Sequence, residues 1–244
     1  MNPNFLESIK NNTSAVVLAS GLVIAAALMG GVYALTRDGG NRLTVTGSAR
    51  MSVTSDRSVW RTSFSRGVLA AGLKDGYTGM NNDLAIVKRF MIEQGIPETQ
   101  MVISPVTVTE EWNQNSSDPK RYTLRQNIEV TSNDIAKITD IAKMADRVVA
   151  QGVFFQNDSV EYYYTALDEA RVKLLTDAVT DARARAQSMA ASGRQRVGKL
   201  VSASSGVVQV LSKDSVDVSD YGSYDTSKPE KDIMVTVRAT FKVK

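Results

Sequence analysis

Histidine and cysteine are both absent from the 244 residues, and each absence removes a class of chemistry. Without cysteine there are no disulfides and no thiolate metal sites. Without histidine the commonest general base and the commonest metal ligand are missing. Serine–histidine and cysteine–histidine catalysis are therefore excluded, and zinc could be held only by carboxylates, an uncommon arrangement. Neither G-x-x-x-x-G-K-[ST] nor G-x-G-x-x-G occurs, so no phosphate loop is signalled. Serines and lysines are numerous, but no motif singles out a catalytic pair. Glu110 and Glu111 are adjacent, yet neighbours on a strand point to opposite faces and form no dyad by themselves. The expectation is a chain with no catalytic residues, no cofactor and no metal.

Blocks of like charge are missing too. The net charge is +3, acids and bases interleave, and no run of five or six like charges occurs. A nucleic-acid binder concentrates its basic residues in a patch or stripe, so no nucleic-acid partner is expected.

Residues 11–36 lack charge altogether. The apolar part, residues 15–35, reads AVVLASGLVIAAALMGGVYAL. As a helix it spans about 31 Å, against a hydrocarbon core of about 30 Å. It exceeds an ordinary signal-peptide core of about 7–15 residues, and Tyr33 sits where an interfacial aromatic belongs. The expected layout is a short cytoplasmic flank at 1–14, a transmembrane helix at 15–36, a linker at 37–42 and a folded extracytoplasmic domain at 43–244. Two alternatives stand beside it: a signal peptide cleaved after Ala34, and a buried helix of a soluble domain. Charge alone does not fix the orientation. Lys10 and the amino terminus stand against Glu7 on one flank; Arg37, Arg42 and Arg50 stand against Asp38 on the other. Small residues recur every four positions. Gly21 and Ala25 form one pair, and Ala26, Gly30 and Ala34 form a longer row, a pattern that lets membrane helices pack closely.

The remaining sequence alternates strand and helix signals. Strands are expected within 43–65, where Trp60, Thr62 and Phe64 share a face. A helix is expected at 74–94, with Tyr77, Met80, Leu84, Val87 and Met91 as its apolar stripe, Asp83 off that stripe and Gly95 as its stop. A hairpin follows, with arms at 101–112 and 121–131 and a polar loop between them. Next come a helix at 133–146, a strand pair or one long strand through 152–164, and a long helix from Thr165. That helix carries Leu167, Ala170, Leu174, Ala178, Ala182, Ala186 and Met189 on one side, Thr165 and Asp168 as a capping box, and Gly193 as its C-cap. Strands at 199–211 and 231–243 close the chain. The long acidic loop between them, with Tyr221 and Tyr224, reads either as a disordered segment or as an exposed hairpin tip that orders against a neighbour, a candidate oligomer contact. Helix, glycine, strand, polar loop and alternating strand occur at 74–131 and again at 166–243. The fold class is therefore α+β: antiparallel sheets with helices packed on one face, two weakly repeated helix-plus-hairpin units, and one transmembrane helix in front.

The stretch EYYYTALDEARVKLLTDAVTDARARAQSMAASGRQRVGKLVSAS, residues 161–204, resembles the SIMPL-domain family of bacterial periplasmic and outer-membrane-associated proteins. Gly47, Ser55-Asp56, Gln94-Gly95-Ile96 before Ile103, Asn133-Asp134 and the closing VTVRATFKV fit the same pattern. The resemblance covers essentially all of 43–244. It implies an extracytoplasmic location, ring-like or channel-like homo-oligomers and no catalytic residues. The chain departs from many relatives in keeping a spanning segment where they carry a cleavable signal peptide. The expected function is a scaffold in the bacterial inner membrane, N-terminus cytoplasmic and domain periplasmic, that self-assembles into a ring or cage with itself and the lipid bilayer as partners. The alternative is an envelope module that captures a peptide, lipid or small ligand, in stress protection, through Tyr162–Tyr164 and Trp112.

Overall fold

The computed structural model describes residues 3–36, 41–112, 118–215 and 219–244; for residues 3–15 and 34–36 it describes the helical backbone alone. The expected linker at 37–42, the tip of the first hairpin and part of the acidic loop therefore lie largely or partly outside the described residues.

The chain opens with α1 (Pro3–Thr36), longer at its N-terminal end than the apolar stretch alone predicts. Strands β1 (Arg42–Thr54) and β2 (Arg57–Leu69) follow, then α2 (Leu73–Glu93). Next are β3 (Met101–Ile103), β4 (Thr107–Glu110) and β5 (Arg121–Ser132). Then come α3 (Ile135–Ala142), the single turn α4 (Asp146–Val149) and β6 (Phe154–Tyr163). The last elements are α5 (Leu167–Ser192), β7 (Val197–Ser205), β8 (Gln209–Ser212) and β9 (Glu230–Val243).

The strands form two sheets. One runs β3-β5-β2-β6, with β4 also on β5; the other runs β1-β9-β7, with β8 also on β9. The expected α+β class with antiparallel sheets is what the chain adopts, and the two helix-plus-hairpin repeats are visible. α2 leads to a first arm broken into β3 and β4 and a long second arm, β5. α5 leads to a first arm broken into β7 and β8 and a long second arm, β9.

The breaks correct two strands read as continuous. In the first repeat the chain leaves the ladder at residues 104–106, where Pro105 has no N–H to give. Ser104 fills the gap: its N–H donates to the Asn127 carbonyl and its Oγ accepts from the Asn127 N–H. In the second repeat the break is at residues 206–208. The closing strand β9 is an interior strand between β1 and β7.

Two compact units emerge, Ser48–Ala178 with Ser205–Val237, and Met1–Gly47 with Val179–Ser204 and Arg238–Lys244. In the first, α2 and α3 cover one face of the five-stranded sheet. Trp60, Phe64, Leu124, Ile128 and Val130 of the sheet meet Met80, Val87, Phe90, Met91, Ile138 and Ile141 of the helices. The period-two pattern of β2 and β5 and the 3.6-period stripe of α2 both point there. Tyr77 is exposed instead of buried, and Asp83 is buried on the packed face. Asp83 is tolerated there because Arg66 of β2 reaches it with three hydrogen bonds of 2.8–3.1 Å. The helix read at 133–146 stops at Ala142, and Asp134 caps it by accepting the Lys137 N–H. The strand through 152–164 is one strand with a register shift opposite Arg61 and Thr62.

In the other unit, the second half of α5 buries Ala182, Ala186 and Ala190, and Arg183 lies over the Phe241 ring, 5.4 Å from its centroid. The buried row on α5 steps by four from Ala170 to Ala190, drifting about 40° per step. It thus ends at Ala190, and Met189 is exposed. The C-cap is also displaced by one. Gln195 N–H donates to Ala190 and Arg194 N–H to Ala191, while Arg194, not Gly193, takes φ 58°.

Candidate functional site

On α1, residues Val16–Tyr33 have a mean hydropathy of 2.1 and none is buried. Such a helix is compatible with a single-pass anchor and also with a signal peptide. Gly21, Ala25, Ala26 and Gly30 are exposed along it. A Cβ added at Gly21 or Gly30 would meet nothing within 4 Å. The Ala34 side chain lies outside the described residues.

The second set of predicted residues sits on the loop between β8 and β9. This loop is more closely held than a free hairpin tip. Val210 N–H donates to the Ser223 carbonyl and Asp225 N–H to the Val210 carbonyl, so the loop adds a short parallel bridge to β8. The Gln209 amide nitrogen donates to the Ser219 carbonyl. Tyr224 is fastened inward: its hydroxyl accepts the Tyr164 N–H at 2.9 Å, and its ring lies 5.9 Å from that of Tyr163. Tyr221, by contrast, is 97% exposed. The two tyrosines thus face different surroundings, one stapled to the domain and one presented outward.

The loop's base rests on two charged groups. Lys231 has no exposed surface; its Nζ donates to the Lys228 carbonyl, and burial holds its amine below the usual lysine range, opposed by the Asp225 carboxylate. Asp232 accepts from the Ser52 hydroxyl at 2.6 Å, which lowers its carboxyl below the ordinary range, with Arg50 helping at 3.7 Å. The Asp225 carboxyl is lowered likewise, first by the Ser227 hydroxyl.

Beside the loop, Ser55-Asp56 makes the crossing from β1 to β2. Ser55 N–H donates to the Pro229 carbonyl and Asp56 N–H to the Tyr163 carbonyl. The Asp56 carboxylate accepts both the N–H and the hydroxyl of Thr165. The Thr165 hydroxyl is therefore spent on Asp56, which corrects its reading as half of a capping box.

A network that the sequence does not announce lies across β5, β2 and β6. Arg61 donates to Glu129 at 2.9 Å and pairs with Glu161, and the Tyr163 hydroxyl donates to Glu161. The Tyr163 and Arg61 donors, in that order, lower the Glu161 carboxyl, while Glu161 raises both the Tyr163 phenol and the Arg61 guanidinium. The signal was present in the register: Arg61 lies opposite Glu129 on β5. Only the strand pairing reveals it.

The proposed aromatic contacts separate. Tyr162 is buried, with its hydroxyl on Thr139; Trp112 is exposed. Glu110 and Glu111 go to different partners, Lys120 and the Thr123 hydroxyl. Among the described residues no group of three acidic side chains is placed to hold a metal ion.

Among the comparisons with known proteins, a family model, SIMPL, described as a protein of unknown function (DUF541), matches residues 43–241. No curated protein matches the chain.

Proposed function

The chain belongs to the SIMPL family, and from that membership and its uncovered apolar helix we propose that it is a membrane-anchored scaffold that self-assembles into a closed homo-oligomer. In this reading α1 spans the bacterial inner membrane with its N-terminus in the cytoplasm, and the domain from residue 43 stands on the periplasmic side.

The observation that carries the reading is the character of one sheet edge. β7 ends its sheet, so its outer N–H and C=O groups have no strand partner among the described residues. Edge strands are normally protected by charge, proline or a bulge. β7 holds a single charged side chain, Lys199, and no proline, residues 200–212 hold neither, and Leu200 and Val201 are 40% and 41% exposed. Two other edges carry more charge, β1 with Arg42 and Arg50 and β6 with Asp158 and Glu161, and the uncharged edge strand β3 is only three residues long. A long edge guarded by one lysine and held at a bilayer surface favours pairing with another copy, and closed symmetry stops the pairing from running on.

The test is the mass of the full chain in mild detergent. The wild type is expected as one discrete multi-subunit species, and Val201→Lys as a smaller one. A sharp wild-type monomer at micromolar concentration would sink the proposal.

A further inference from the structure

The break between β7 and β8 opens a cleft of about 370 Å³, bounded by Arg171 and Leu175 of α5, by residues 205–208, and by Tyr221. Its construction is specific. Gly206 N–H donates to the Thr236 carbonyl at 2.9 Å, and a Cβ at Gly206 would sit 2.7 Å from the Thr236 hydroxyl, so a side chain there would force Thr236 to move. After Gly206 the N–H groups of Val207 and Val208 donate to no backbone acceptor among the described residues. Unpaired backbone donors need water or a ligand. The docked loop at Val210 closes the strand edge on one side, so an extended segment laid along this edge must end in the cleft.

The charge at the cleft has one sign. Arg171 makes no ion pair or hydrogen bond among the described residues. Leu175 and Val207 supply apolar wall. Tyr221 stands at the mouth because the turn that carries it is fixed: Gly222 takes φ 88°, where its missing Cβ would lie 3.2 Å from the Val208 carbonyl, and the Tyr221 N–H donates to the Ser219 hydroxyl. One guanidinium, two unspent N–H groups and an apolar wall at the stopped end of a strand edge match the terminus of a peptide chain. Strand addition supplies register, and the carboxylate supplies the end point.

We propose that this cleft binds the free C-terminal carboxylate of an extended peptide. Arg171 and the Val207 and Val208 N–H groups take the carboxylate, Leu175 and Val207 take the last side chain, and Tyr221 covers it. The extended part of such a peptide would lie on the β7 edge assigned above to self-assembly, so peptide and second copy compete for that edge; the acid-to-amide ratio reads the cleft alone, and oligomer size reads the assembly alone.

The test uses the full chain in detergent and fluorescein-labelled pentapeptides Gly-Ser-Thr-Ser-X, with X as Val, Leu or Phe, each as free acid and as amide. Fluorescence anisotropy is expected to show binding of at least one free acid. Its amide, and the same acid with Arg171→Gln, should bind about tenfold or more weakly, the loss of one charge-assisted hydrogen-bond set. Decanoate at the same concentration should not displace the peptide. Absence of binding across the set, equal affinity of acid and amide, or displacement by decanoate would each overturn the assignment, the last by giving the cleft to fatty carboxylates. The acid-to-amide ratio in the wild type needs no variant, so a misfolded Arg171→Gln leaves the test intact.

Discussion

Removing Arg66 should expose how the domain accommodates a carboxylate in its core. Asp83 faces the sheet with its side chain 5% exposed, and Arg66 is its ion-pair partner, itself 40% exposed. Breaking a fully buried pair by deleting one member costs about 3–5 kcal/mol, whereas an exposed pair is worth about 0–1 kcal/mol. With one member buried and the other two-fifths in water, screening brings the expectation for Arg66→Met to about 2 kcal/mol. At a urea dependence of about 2 kcal/mol per molar, the unfolding midpoint should fall by about 1 M. Trp60 is fully buried and Trp112 is exposed, so Trp60 fluorescence in a Trp112→Phe background reports the transition. The double variant Arg66→Met with Asp83→Leu should recover to within about 1 kcal/mol of the parent, because the cost lies in the stranded carboxylate and not in the lost attraction. Gly79 offers an orthogonal probe. A Cβ there would lie 2.7 Å from Arg66 Nε, so Gly79→Ala should destabilise, although the same change in an open helix gains about 1 kcal/mol. If Arg66→Met moves the midpoint by less than about 0.2 M, or if the double variant is no better than the single, the account of Asp83 is wrong.

Arg194 holds a left-handed conformation at the end of α5, where Gly95 does the same for α2; Arg194→Gly should therefore raise stability by about 0.5–1 kcal/mol, measured by the same urea transition. For pH dependence, Glu161, Asp225 and Asp232 have folded-state carboxyls below their ordinary range. The unfolded chain therefore takes up protons first as acid is added, so the stability they confer is present above about pH 4–5 and is lost as pH falls through their lowered values. Lys231, lowered by burial, acts on the other side: between its folded value and about pH 10.4 the unfolded chain holds the extra proton, and stability rises with pH. Urea midpoints from pH 3 to 10 should show the acid loss, and Glu161→Gln should flatten it; an unchanged acid limb in that variant would remove Glu161 from the explanation.

Much of this architecture can be read along the chain because local periodicity and core burial agree. Met80, Val87 and Met91 step at helical spacing, and Leu124, Ile128 and Val130 alternate at strand spacing. Each pattern has one face to hide and finds the other. The errors fall where a distant partner decides. Asp83 reads as a solvent residue until Arg66 arrives from β2. Thr165 reads as a helix cap until Asp56 claims its hydroxyl. Tyr221 and Tyr224 are three positions apart in one polar loop and look equivalent; only the Tyr164 N–H and the Tyr163 ring distinguish them. The interior place of β9 was hidden for the same reason, since alternation gives the faces of a strand and says nothing about its neighbours.

Under the proposed function, an anchoring α1 would constrain which assemblies the β7 edge could build. Copies so anchored in one bilayer would all point the same way, so the only rotation axes relating them would run along the membrane normal. Pairing β7 with β7 of a second copy would be isologous and would close at two. Pairing β7 with a different edge would be heterologous and would close as a ring or not at all. The charges on β1 and β6 bear on the choice. Lys199 of β7 would oppose Arg42 and Arg50 on β1 and attract Asp158 and Glu161 on β6, whereas β1 against β1 would bring arginines together. Within the proposed scaffold, an odd subunit number would point to the heterologous contact, because isologous pairs about the membrane normal yield only two.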